Sequence, residues 1–168
     1  FEMVGAQWKN EEYILGYKSN NNEIYDVGLN TQIGPKWPIK SWSKKNWDKL
    51  ETLLIKDGLK VSRQDKQSDG ILTNLDQYIG WINSCSLIVT NDSLGMHLGI
   101  ALKKKILGLF GPTPYKEVHF YGRGKAILPK QYRECIPCFD IKCNEEKSCM
   151  ESISPETVYR EVKKFIKK

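Results

Sequence analysis

Blocks of apolar residues separated by small polar residues run along this chain, and the clearest pattern lies over residues 86–113. An apolar run over 87–89 ends in a polar turn, an apolar helix is predicted over 94–102, and a second apolar run over 106–110 ends in Gly111-Pro112-Thr113. Short apolar runs bounded by turn residues are typical of buried strands. The pattern therefore predicts one βαβ unit with small polar residues after both strands.

The rest of the chain continues the alternation of strands and helices. Ser43 and Thr73 precede helical patterns as N-cap residues, Gly58 follows the first of these helices, and Ser154 with Pro155 begins the last helix. This alternation favours an α/β fold with a Rossmann-like, mostly parallel sheet and helices on both faces. The further predicted elements are strands over 23–30, 59–62 and 126–128, and helices over 44–57, 74–82 and 155–167.

At 168 residues the chain has the size of one domain. We assign residues 1–22 to a linker or interdomain segment and residues 23–168 to the domain proper. The chain begins at Phe1 without an initiator Met, which favours a fragment of a longer protein. No apolar stretch approaches the roughly 18 residues that a spanning helix needs, and the first residues do not resemble a signal peptide.

The net charge of +6 suggests nucleic acid as a partner, but the distribution of the basic residues disfavours it. The lysines are spread over several stretches with acidic residues between them, and the four arginines form no run. Such a surface fits a general affinity for phosphates or for an anionic membrane equally well. We therefore expect no nucleic-acid partner, and the sequence predicts no bound cofactor.

The turn after the first strand of the βαβ unit carries candidate phosphate-binding groups. Ligands of open α/β sheets bind at the carboxyl ends of strands, where a helix N-terminus presents free backbone N–H groups. Asp92, Ser93 and Gly95 flank the helix start, and His97 follows one turn later. We expect these groups to bind a phosphorylated ligand; the alternative is that Asp92 only caps the helix and His97 packs inside the fold.

Two further loops are predicted at the same edge of the sheet. Gly111 permits close approach of the backbone to a ligand and Thr113 supplies a hydroxyl, although Gly-Pro also ends strands for turn geometry alone. Lys36 and Lys40 lie in the loop after the first strand, where an ammonium can neutralise phosphate or simply be solvated. We expect the loops around Lys40, Asp92 and Thr113 to converge on one pocket for a pyrophosphate.

Four cysteines lie close together near the end of the chain, in an irregular loop over 135–149. They follow the spacing Cys135-x2-Cys138-x4-Cys143-x5-Cys149. Four thiolates and a C-x2-C step suit a tetrahedral zinc site, whereas the later spacings are not those of a standard zinc ribbon. The same cysteines could form two disulfides or stay reduced, and the sequence does not choose among these alternatives.

Several motifs together resemble glycosyltransferase family 9, the heptosyltransferases. They are N-D-S-x-G-M-H-L-G-I-A-L, then L-F-G-P-T, then C-x-P-C followed by C-M-x-x-I-x-P-E-x-V. The upstream segment G-L-N-T-x-x-G-P-K-W-P-x-K-x-W-x-x-x-N-W fits the same family. The resemblance covers most of the chain, from about Val27 to the last helix.

The resemblance implies the second half of a GT-B glycosyltransferase, a Rossmann-like domain that binds a nucleotide-sugar, with ADP-heptose as the type of ligand. It implies inverting transfer in lipopolysaccharide or related cell-surface glycan synthesis, with the acceptor and the catalytic base belonging to a first domain. It also implies a cytoplasmic protein, for which a peripheral location at the anionic inner membrane is the alternative expectation. The positions that match the family's sugar-donor site are Lys40, Asp92, Ser93, Leu94, Gly95 and His97, with Leu94 standing where the family commonly has Gly.

Two other functions remain open on the residues alone. The chain could be a non-catalytic Rossmann-like module that binds a phosphorylated ligand or an anionic surface. It could also be a zinc-stabilised nucleic-acid protein, which would bind DNA or RNA with a steep salt dependence.

Overall fold

A five-stranded sheet forms the centre of the computed structural model, which describes residues 5, 7–17, 23–66, 74–130 and 134–166. Its strands lie in the order β2-β1-β3-β4-β5, and every neighbouring pair is parallel. The predicted Rossmann-like parallel sheet is therefore confirmed. The strands are β1 Tyr25–Asn30, β2 Val61–Arg63, β3 Cys85–Asn91, β4 Lys105–Leu109 and β5 Gly124–Ile127.

Helices cover both faces of this sheet. Trp47, Leu50 and Leu54 of the first helix pack with Val158 and Val162 of the last helix on one face. The two middle helices pack on the other face, so the sheet is buried on both sides as the sequence predicts. Among the described residues, no helix has the length and apolar character needed to cross a membrane. The helices are α1 Lys44–Lys56, α2 Leu75–Asn83, α3 Leu94–Ala101 and α4 Pro155–Ile166.

The alternation of side chains along the central strands explains this two-sided burial. In β3, Leu87 and Val89 belong to the core shared with α1 and α4, whereas Ile88 belongs to the core shared with α2 and α3. All three side chains are fully buried. Because successive residues of a strand point to opposite faces, a continuous apolar run fills both cores at once.

Helix starts follow the predicted capping chemistry, with one change. The Ser43 side chain accepts a hydrogen bond from the Asn46 N–H and caps α1 as expected. Helix α2 is capped by Asn74, whose side chain accepts from the Gln77 N–H at 2.9 Å. Thr73, the predicted cap of this helix, lies outside the described residues. β2 begins two residues later and β5 two residues earlier than predicted.

The loop between β1 and α1 is held down by two tryptophans. Trp42 and Trp47 are almost fully buried and meet edge to face, with ring centroids 4.8 Å apart. The Trp42 indole N–H donates to the Ile153 carbonyl at 2.9 Å. These rings serve as packing for the loop, so the loop that carries Lys40 is anchored to the core.

The segment 7–17, which we expected to be a linker or interdomain piece, lies against the domain along its described length. Glu12 forms ion pairs with Arg123 at 2.7 Å and with Lys103 at 3.1 Å. Its neighbour Glu11 accepts a hydrogen bond from the Tyr121 hydroxyl through its backbone carbonyl. The segment is therefore tied to the region around β5 by charged and polar contacts.

Candidate functional site

Three loops meet where the parallel strands end at their carboxyl side. Lys40 closes a short 3₁₀ turn, Pro38–Lys40, in the loop between β1 and α1. Asp92 follows β3 directly, and Thr113 follows β4 by four residues. Because β1, β3 and β4 are neighbours in the sheet, their following loops share one edge.

A single carboxylate oxygen joins these three loops. The Lys40 ammonium donates to Asp92 Oδ2 at 2.7 Å, and the Thr113 hydroxyl donates to the same oxygen, also at 2.7 Å. The side chains of Lys40 and Asp92 are 18% and 14% exposed, so the pair is shielded but still reaches solvent. The expected convergence of the three loops is thus present in the structure.

The Lys40 ammonium is fixed from a second side. Its Nζ lies 5.4 Å from the centre of the Trp37 ring, within the range of a cation–π contact. An ammonium has three donors, and Asp92 occupies one of them. Lys40 is therefore pre-positioned and keeps hydrogen-bonding capacity for an anion.

The start of α3 offers the second group of anion-binding donors. Ser93 occupies the N-cap position in extended conformation, but its side chain accepts no hydrogen bond from the helix. The first N–H groups of a helix have no acceptor within the helix, and the helix dipole adds positive potential there. The backbone around Leu94 and Gly95 is therefore suited to a phosphate group beside Lys40.

A buried amide explains why Ser93 does not cap its helix. Asn30, the last residue of β1, is fully buried and donates through Nδ2 to the Ser93 hydroxyl at 3.0 Å and to the Thr90 hydroxyl at 2.7 Å. The side-chain oxygen of Asn30, Oδ1, accepts a hydrogen bond from the Tyr78 hydroxyl at 2.7 Å. No role for Asn30, Thr90 or Tyr78 followed from the sequence, in which Asn30 was only the polar residue that ends a predicted strand.

Gly95 lies directly on this network. A Cβ atom built there would come within 2.2 Å of the Tyr78 hydroxyl and 2.4 Å of Asn30 Nδ2. Real Cβ atoms do not approach heavy atoms so closely, so a larger residue requires a shift of the helix or of these two side chains. The glycine thus lets the first turn of α3 lie close to the buried amide.

The other predicted site residues lie nearby with different surroundings. His97 is half exposed, and its Nε2 lies 4.0 Å from Asp92 Oδ1. Leu94 begins α3 and is 57% exposed, so its side chain is available at this edge. Gly111 is buried, and a Cβ there would lie 2.6 Å from Cys149 Sγ and 2.8 Å from Met150 Sδ. The absence of a side chain at Gly111 therefore has a packing reason of its own.

The four-cysteine loop adjoins this region. Cys149 is buried, Cys138 is half-buried, and Cys135 and Cys143 are exposed, all as free thiols. Burial and then the neighbouring cysteines raise the pKa of the Cys149 thiol. In the part of the chain that the structure describes, no group of three or more His, Cys, Asp or Glu side chains is placed to hold a metal ion.

Part of this chain matches a known protein family. The model of glycosyltransferase family 9 (heptosyltransferase) matches residues 72–149. Lipooligosaccharide heptosyltransferase 2 of Campylobacter jejuni is 35% identical over 82 residues, which is 48% of this chain and 26% of that protein. Residues 72–149 are therefore similar to glycosyltransferase family 9, and the chain spans about a quarter of the length of this relative.

The fold is also that of solved heptosyltransferases. The ADP-heptose lps heptosyltransferase II of E. coli superimposes with a TM-score of 0.62 at 22% identity, over 88% of this chain and 47% of that one. An E. coli heptosyltransferase solved with ADP-2-deoxy-2-fluoro heptose gives a TM-score of 0.56 at 15% identity, over 89% and 46%. The chain therefore has the fold of about half of a GT-B heptosyltransferase.

Proposed function

We propose that residues 23–168 form the domain of a glycosyltransferase that binds the diphosphate of a nucleotide-sugar of the ADP-heptose type. The observation that carries the proposal is the meeting of Lys40 and Thr113 on Asp92 Oδ2, at 2.7 Å each, beside the N-terminus of α3. The Lys40 ammonium and the backbone N–H groups at the start of α3 are the kinds of donor that a diphosphate needs, and the Thr113 hydroxyl bond to Asp92 holds the third loop beside them.

The charges at this edge suit the chemistry of transfer. When a sugar leaves a nucleoside diphosphate, negative charge grows on the diphosphate as the bond to the sugar breaks. Donors already held in place stabilise that charge more than they stabilise the ground state, which lowers the barrier. In this proposal Lys40 and the first turn of α3 are those donors, and Asp92 orients Lys40 and Thr113.

The sugar would lie toward Asp92 Oδ1 and His97. Asp92 Oδ1 is the carboxylate oxygen not used by Lys40 and Thr113, so it can accept from a sugar hydroxyl. His97 is half exposed at 4.0 Å from it and can donate a ring N–H to a phosphate oxygen. The family resemblance supports inverting transfer to a lipopolysaccharide-type acceptor. In this proposal another domain supplies the catalytic base and binds the acceptor.

A panel of nucleotides tests the proposal. ADP, UDP, GDP and CDP are each titrated into the protein by calorimetry up to millimolar concentration, with adenosine as the control that lacks the diphosphate. Saturable binding of ADP, with adenosine at least tenfold weaker, is expected. If none of the four diphosphates binds, the proposal fails, and the result favours a non-catalytic module.

A further inference from the structure

A chain of hydrogen bonds runs beneath the proposed diphosphate site and connects α2 to the start of α3. It passes from the Tyr78 hydroxyl to Asn30 Oδ1, and from Asn30 Nδ2 to the hydroxyls of Thr90 and Ser93. Asn30 is fully buried, and these residues lie 48, 60 and 63 positions from it along the sequence. The network is therefore tertiary and is built between β1, β3, α2 and the turn before α3.

The partners fix which way the Asn30 amide faces. The Thr90 hydroxyl donates to the Asn91 carbonyl at 2.7 Å, so its oxygen accepts from Asn30 Nδ2. With the nitrogen committed to the two hydroxyls, the Asn30 carbonyl faces Tyr78 and accepts its proton. Both polar atoms of this side chain have partners, two acceptors for Nδ2 and one donor for Oδ1, as buried polar groups generally do.

The same arrangement directs the Ser93 proton. The Ser93 oxygen accepts from Asn30 at 3.0 Å, and Thr90 Oγ1 lies 3.5 Å away, at the limit of a hydrogen bond. The Ser93 side chain also makes no cap bond to the helix. Its O–H is thus left for an acceptor at the sheet edge, and a phosphate oxygen is such an acceptor.

We propose that Tyr78 and Asn30 are positioning residues which hold the Ser93 hydroxyl as a donor to the diphosphate. The inference rests on the proposed function and adds to it residues that do not touch the ligand. Gly95 lets the start of α3 lie close to Tyr78 and Asn30, which keeps Ser93 within reach of the Asn30 amide.

The state of Tyr78 agrees with this role. Burial raises the pKa of the Tyr78 phenol to about 12. The phenol therefore stays protonated at neutral pH and can donate to Asn30. Tyr78 also stacks on Trp81 at a centroid distance of 6.2 Å, which holds the ring in place.

A double-mutant cycle tests the inference on the chain itself. Tyr78→Phe, Ser93→Ala and the double variant are compared with the unaltered chain for ADP and for adenosine by calorimetry, with circular dichroism to check folding. Tyr78→Phe is expected to weaken ADP binding three- to tenfold, the size of one hydrogen bond. Adenosine binding should not change, and Tyr78→Phe should have less than a twofold effect in the Ser93→Ala background.

Rescue and a second variant complete the test. Ser93→Thr keeps the hydroxyl, so Tyr78→Phe should again weaken ADP binding in that background. Asn30→Ala removes the residue between Tyr78 and Ser93, and its loss of ADP affinity should also depend on the Ser93 hydroxyl. If either Tyr78→Phe or Asn30→Ala does not fold, the other variant decides the test. Equal effects of Tyr78→Phe with and without the Ser93 hydroxyl, or equal loss for adenosine, would overturn the positioning role. An unaltered chain that binds no ADP would instead overturn the proposed function and this inference with it.

Discussion

Lys40 Nζ lies 2.7 Å from Asp92 Oδ2 and so joins the loop after β1 to the turn after β3, across 52 positions of sequence. Thr113 binds the same oxygen from the loop after β4. The ion pair has no net charge, so it removes the repulsion that a bare carboxylate would exert on a phosphate, and it leaves the other N–H groups of the ammonium as donors. This contact is the physical basis of the proposed function.

Replacement of Lys40 tests its contribution directly. Lys40→Ala removes the ammonium and is expected to weaken ADP binding at least tenfold, which corresponds to about 1.4 kcal/mol. Lys45→Ala is the matched control, because Lys45 is an exposed lysine on α1. Calorimetry of both variants measures the effect. An affinity unchanged in Lys40→Ala would remove this residue from the site.

Gly95 gives a prediction about stability. A methyl group at Gly95 would overlap the Tyr78 hydroxyl and Asn30 Nδ2, so Gly95→Ala should lower the free energy of unfolding by roughly 1–3 kcal/mol. Gly34→Ala is the control, since a Cβ there meets no atom within 4 Å. Urea unfolding followed by circular dichroism compares the two. A Gly95 variant as stable as the Gly34 variant would mean that α3 is free to move away from the buried amide.

Much of the architecture was predictable because it depends on local pattern. The βαβ unit over 86–113 followed from short apolar runs and turn residues, and the Ser43 cap followed from its position before a helical pattern. The convergence of Lys40, Asp92 and Thr113 was also predictable, because the carboxyl ends of parallel strands share an edge. These inferences needed no knowledge of side-chain contacts.

The buried network could not be predicted, because its members are distant in sequence and individually ordinary. Tyr78 looked like one more residue on the inner face of a helix, and Asn30 like the polar end of a strand. Their partnership depends on α2 and β1 meeting in space, which a single sequence does not encode locally. The exact start of β2 also escaped prediction, since a three-residue strand carries little periodic signal.

Asp48 predicts a dependence of stability on acid pH. Hydrogen bonds from Lys44, and then from Arg63, lower the pKa of this carboxyl from 3.8 to about 2. A carboxyl whose pKa is lower in the folded state stabilises the fold fully above pH 4, and this stabilisation is lost as the pH falls toward 2. Urea unfolding should therefore show a decline in stability between pH 4 and 2.

The Asp48→Asn variant separates this effect from that of other carboxylates. Its stability should decline less steeply over the same pH window than that of the unaltered chain. Asp140→Asn, a change at an exposed loop residue, serves as the control and should leave the slope unaltered. If stability declined equally between pH 4 and 2 in the unaltered chain and in Asp48→Asn, the lowered pKa of Asp48 would be contradicted.

The cysteines should differ sharply in reactivity. Burial raises the pKa of the Cys85 thiol to about 12, and the residue is fully buried, so almost no thiolate is available at pH 8. Cys135 and Cys143 are exposed. Iodoacetamide labelling followed by mass spectrometry should modify the two exposed cysteines in the native protein and Cys85 only after denaturation. Native labelling of Cys85 at the rate of Cys135 would contradict its described burial.

The most direct test of the central claim locates the bound diphosphate. The ¹⁵N-labelled chain is titrated with ADP and, separately, with adenosine, and the amide chemical shifts are followed by NMR. With ADP, we expect the largest shifts at the amides of Ser93–Gly95, Gly111 and Thr113. With adenosine, we expect these amides to stay nearly unchanged. Shifts confined to other regions of the chain, or equal shifts with adenosine, would contradict the assignment of this edge as the diphosphate site.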